Sequence, residues 1–100
     1  MRLNIHDEIF LEDPTSAELM DALSSLSRDD FAILEQGEQH YIQTCISDDV
    51  WFVEYRAGGP EHHFELESPA SSIEQVHRIF DAYLRGEPFE QMASWIVWTS

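Results

Sequence analysis

The run Val50-Trp51-Phe52-Val53-Glu54-Tyr55-Arg56 constrains the fold more than any other stretch of the chain. Trp51, Val53 and Tyr55 are all apolar or aromatic, while Glu54 and Arg56 fall on the opposite face. Period-two alternation built from β-branched and aromatic residues marks a half-buried strand. Turn chemistry bounds it on both sides. Ser47-Asp48-Asp49 precedes it, and Gly58-Gly59-Pro60 follows, a combination that no strand interior tolerates. Neighbouring runs repeat the theme: Phe31-Ala32-Ile33-Leu34-Glu35 ended by Gly37, His40 to Ile46, and His62 to Glu67 with Phe64 and Leu66 inward. Four successive strands joined by short turns predict an antiparallel meander.

The flanks predict helices. Thr15 with Glu18 fits a capping box after the Asp13-Pro14 break, and Leu19, Met20, Leu23 and Leu26 follow at helical spacing. Ser27-Arg28-Asp29-Asp30 is a polar connection. Ser71 with Glu74 predicts a second capping box, ahead of a stripe of Ile73, Val76, Phe80, Tyr83 and Leu84, with Gly86 as the stop and Pro88 beyond it. At the start, Arg2 to His6 alternates and Ile9-Phe10-Leu11 follows an acidic break, predicting one short strand bent at Asp7-Glu8. The closing Trp95-Ile96-Val97-Trp98 either pairs as a terminal strand or docks against the sheet. The expected fold class is α+β: one domain over residues 1–100, an antiparallel β-meander sheet packed by an N-terminal and a C-terminal helix as a single layer pair.

Charge narrows the function. Asp and Glu number 20 against five basic residues, all arginines, for a net charge of −15. Such a chain cannot neutralise phosphates, so nucleic acid is not an expected partner. An anionic membrane surface would repel it. With 43% hydrophobic residues it has enough apolar material for a core, which argues against disorder. The charge exceeds the magnitude of roughly 2–8 usual for a small, well-behaved surface. A basic partner would relieve the self-repulsion. Cys45 has no second cysteine to pair with, no apolar leader opens the chain, and no window approaches the roughly 18 apolar residues of a membrane span. The cytoplasm is the expected compartment.

No chemical motif rises above its background. His62 and His63, with Glu61 and Glu65 nearby, are adjacent strand residues that point to opposite faces, so a shared metal ion is not expected; they read as solvated strand histidines. His6, His40 and His77 show no ligand spacing. Carboxylates are so numerous that a close pair says nothing about acid–base catalysis. Cys45, between Thr44 and Ile46, reads as a buried structural thiol. Gly58-Gly59 is too short to cradle a phosphate. The expectation is a protein that is not an enzyme, with no catalytic residues, cofactor or metal. Trp51 and Tyr55 read as core, whereas Trp95 and Trp98 either cap the sheet or form a patch for a partner.

The layout also resembles a known family. A short N-terminal helix precedes a meander with the aromatic-rich strand Val50-Trp51-Phe52-Val53-Glu54-Tyr55. A closing amphipathic helix then runs into Phe80-x-x-Tyr83-Leu84-x-Gly86-x-Pro88 with a late Trp95. In these respects the chain is similar to the Imm1-type immunity proteins of bacterial polymorphic toxin systems. It departs from them in the segment Phe89 to Ser94, which separates the proline from the tryptophan more widely. The resemblance implies a protein that neutralises a toxin domain, often one directed at nucleic acid, by occlusion and without chemistry. A toxin of that kind needs a basic surface to hold phosphates, and an acidic inhibitor suits it. The expected contacts are the acids on turns and polar strand faces, Asp48, Asp49, Glu54, Glu61, Glu65 and Glu67, with Trp98 as an aromatic anchor. A secretion-type chaperone dimer holding an effector shares this size, charge and element order, and a small enzyme or ligand-binding domain is the third possibility. Oligomeric state is open at this level.

Overall fold

Period-two runs become strands and capped stripes become helices in the computed structural model, which describes residues 1–98. In chain order these are β1 (Arg2–Ile5), β2 (Ile9–Glu12), α1 (Ser16–Ser24), β3 (Phe31–Gly37), β4 (His40–Ser47), β5 (Val50–Ala57), β6 (His63–Leu66), α2 (Ile73–Arg85) and β7 (Trp95–Val97). Single turns of 3-10 helix occupy Pro60–His62 and Phe89–Met92. The fold is α+β. Its seven strands form one antiparallel sheet in the order β2-β1-β3-β4-β5-β6-β7.

The N-terminal segment corrects the expectation of one bent strand. The chain reverses at His6-Asp7, where both residues are left-handed (φ 55° and 56°), and Glu8 N–H donates to the Ile5 carbonyl at 3.0 Å. Two consecutive left-handed residues give a turn whose twist matches paired strands. A hairpin follows, with Leu3 opposite Leu11 and Ile5 opposite Ile9. On its other edge β1 pairs with β3, setting Leu3 beside Leu34. The Trp95–Val97 segment resolves as a strand on the free side of β6, with Leu66 opposite Trp95. The turn before it carries Phe89 into an aromatic cluster, with ring centroids 4.8 Å from Tyr55 and 5.1 Å from Tyr83.

Local chemistry sets the helix ends. The Thr15 hydroxyl accepts from Glu18 N–H, and the Glu18 carboxylate accepts from Thr15 N–H, completing the expected capping box. On α2 the cap is Ser72, one residue later than expected. Its hydroxyl accepts from Gln75 N–H at 3.3 Å, while Ser71 is exposed outside the helix. Starting at Ile73 turns the apolar stripe onto the sheet. Gly86 ends the helix at φ 71°, in the left-handed region that a side chain would oppose.

The helices bury one face of the sheet. Leu3, Leu34, Ile42 and Val53 pack against Leu19, Leu23, Val76, Ile79 and Phe80, all essentially inaccessible to solvent. Trp51 and Tyr55 join this core, as their parity predicts. Among the described residues no helix is long and apolar enough to cross a membrane.

Tyr83 lies at the margin of the core, where burial pushes its phenol up to about 12. An unfolded tyrosine releases its proton near pH 10. The fold therefore keeps this group's contribution below pH 10 and loses it between pH 10 and 12, by roughly 2 kcal/mol. Denaturant titrations at pH 9 and pH 11 check this: Tyr83→Phe will show a shallower alkaline loss than the parent.

Candidate functional site

With α1 and α2 joined on one side, where the His77 ring meets the Ser16 hydroxyl and carbonyl, the other side of the sheet has no helix over it among the described residues. Strand register sets what that face presents. Residues opposite one another across a ladder point the same way. One row runs Phe10, Asn4, Ile33, Gln43, Glu54, Glu65, Ile96 across all seven strands. Beside it lie Arg2, Glu35, Tyr41, Arg56 and His63 on one flank, and Phe31, Cys45 and Phe52 on the other. Phe10, Phe52, Ile96 and Trp98 are exposed.

A polar network holds the middle of this face. His63 Nε2 lies 2.8 Å from Glu54 Oε1, and Gln43 donates to Glu54 Oε2 at 3.1 Å. Arg56 Nε donates to His63 Nδ1 at 3.0 Å, and its terminal nitrogen donates to the Gln39 carbonyl oxygen of the side-chain amide at 3.0 Å. Because Nδ1 accepts, the ring proton is on Nε2 and goes to Glu54, leaving the imidazole neutral. The Tyr41 ring lies 5.7 Å from the Arg56 guanidinium, and Trp98 covers His63 at 4.8 Å between centroids. These neighbours leave His63 only 3% exposed. It is a buried, doubly bonded histidine, and this corrects the expectation of a solvated one. His62 is exposed in the turn before β6. The expectation for Cys45 also changes. It is half-buried on the uncovered face, and burial, then the Glu54 and Asp29 carboxylates, push its thiol up. A thiol held protonated in this way is a poor nucleophile.

The expected contact residues fall in four places. Glu54, Glu65 and Trp98 share the uncovered face, although Glu54 is already bonded by Gln43 and His63. Glu67 follows β6 directly and is exposed, its N–H donating to the Ser94 carbonyl at 2.9 Å. Asp48 and Asp49 form the β4–β5 turn, both left-handed (φ 52° and 65°). They sit at the sheet end that also carries the His6-Asp7 turn and the Arg28–Asp30 loop. There Asp29 N–H donates to the Ile46 carbonyl at 2.9 Å, and Arg28 reaches Asp48 at 3.4 Å. Glu61 lies at the opposite end, in the Pro60–His62 turn. Phe31, Ile33, Gln43 and Phe52 also belong to the face, yet charge alone does not select them. The signal for Phe52 was parity: it falls with Glu54 and Arg56, away from the core set.

Neither a protein-family model, nor a curated protein, nor a solved structure matches the chain.

Proposed function

We propose that the chain is a non-catalytic binding domain for a basic protein, and that it serves as a cytoplasmic immunity protein occluding a toxin domain. The observation that supports this most is the uncovered sheet face, where exposed Phe10, Phe52, Ile96 and Trp98 are interleaved with Glu54 and Glu65. Apolar anchors within a charged field are the anatomy of a protein interface: the anchors supply affinity, and the field supplies partner choice and approach rate. With a net charge of −15, the field attracts basic surfaces. Occlusion needs no group transfer, in keeping with a Cys45 thiol held protonated and a His63 ring with both nitrogens engaged.

The test is co-expression with the product of the adjacent open reading frame. Rescue from its toxicity and a one-to-one complex are expected; toxicity unaffected by this chain would overturn the proposal. Kinetics then locate the contact. Reversing Asp48 and Asp49 to lysine will slow association with that product about tenfold at low salt and flatten its salt dependence, with dissociation little changed. Stopped-flow mixing at two ionic strengths reads this. Unchanged rates would remove the turn from the interface.

The outer sides of β2 and β7 favour one second reading, a secretion-type chaperone dimer joined through a sheet edge. Solution mass separates the two: an obligate dimer holding an extended client supports the chaperone.

A further inference from the structure

Within the uncovered face, Phe31 and Ile33 on β3 and Phe52 and Glu54 on β5 wall a cleft of about 330 Å³ whose floor is Cys45 and Gln43 on β4. Adjacent strands lie about 4.8 Å apart, so the walls rise from strands about 9.6 Å apart. A stem held in van der Waals contact on both sides needs about 7–8 Å. The cleft has room for one unbranched or flat side chain between its walls.

Its charge is one-sided. Glu54 and Glu65 stand directly opposite each other on neighbouring strands, a like-charge pairing that costs stability. The hydrogen bonds to Glu54 come from the Gln43 amide and the neutral His63 ring, and neither cancels its charge. Arg56 is turned to His63 and Gln39. The Cys45 thiol at the floor is pushed up first by burial and then by the Glu54 and Asp29 carboxylates.

We propose that this cleft seats one arginine side chain of a basic protein partner, its stem between Phe31 and Phe52 and its guanidinium on Glu54 with Glu65 alongside. Arginine fits better than lysine. Its planar head stacks on aromatic rings, sheds water more readily than an ammonium, and offers several donors to a carboxylate whose oxygens already hold one bond each. The inference rests on the reading of the chain as a binder of basic protein.

The test needs no identified partner. The full-length ¹⁵N-labelled chain is titrated with N-acetyl-arginine amide, and with N-acetyl-citrulline amide as the neutral isostere. Saturable amide shifts confined to residues 31–33, 43–45 and 52–54 are expected with arginine and not with citrulline. Glu54→Gln will weaken binding about tenfold, and Phe52→Ala, an exposed position, about threefold. Equal shifts with citrulline, shifts centred on Asp48 and Asp49, or unaltered affinity in both variants would overturn the proposal. So would movement of the same amides on dilution without any probe, which would mean that a second copy fills the cleft. Arginine in the cleft without a complex with the adjacent gene product sustains this inference and removes the immunity reading. A complex formed while the cleft stays silent does the reverse.

Discussion

Replacing Phe80 with alanine will lower the unfolding free energy by about 3–5 kcal/mol. The ring lies on the inner stripe of α2, has no solvent exposure, and belongs to the cluster that joins both helices to the sheet. Removing it costs the transfer free energy of its apolar atoms and leaves a hole beneath α2. The neighbours have little freedom to close that hole. Val76 and Ile79 are fixed on the same helix, and Leu34, Ile42 and Val53 are held by the ladders of three adjacent strands. Urea unfolding followed by tryptophan fluorescence measures the loss. A cost below about 2 kcal/mol would mean that the helix slides inward to fill the space.

The second large effect belongs to the uncovered face. Changing His63 to leucine keeps bulk under Trp98 but removes the acceptor for Arg56 Nε and the donor to Glu54. Each lost bond involves a charged partner, worth about 1.5–3 kcal/mol, and water entering the loosened site returns part of that. A net loss of about 2–4 kcal/mol is expected. A double-mutant cycle with Arg56→Met isolates the Arg56–His63 share. If the two losses simply add, the pair contributes nothing as a pair and the network is incidental to the stability of the face.

Much of the fold was legible because its signals are local. The alternation through Val50 to Arg56, the Thr15–Glu18 box and the stop at Gly86 each depend on residues a few positions apart, and each formed as written. The β1–β2 reversal was less visible. It uses His6 and Asp7 in a conformation that sequences usually mark with asparagine or glycine. The Ser71–Ser72 choice turns on which start points Ile73 at the sheet, a tertiary matter. The same holds for the site. Parity placed Glu54 and Arg56 away from the core, but what stands beside them comes from distant chain. His63 is covered by Trp98, and Glu54 is bonded from β4 as well as β6. Acidity identified carboxylates without distinguishing those engaged within the sheet from those open to a partner.

The two ends of the sheet give the acidity another consequence. Among the described residues the outermost strands, β2 and β7, each ladder on one side only, and Ile9, Phe10, Ile96 and Val97 on them are exposed. Edges of this kind invite another copy to continue the sheet. Trp95 to Trp98 contains no charged residue to prevent it. Long-range repulsion between molecules of net charge −15 opposes such pairing, a safeguard spread over the surface that edge strands elsewhere build into their own sequence. Near the isoelectric point of about 4.3 that safeguard disappears while the apolar edges remain, so acidification removes the electrostatic barrier to stacking edge to edge.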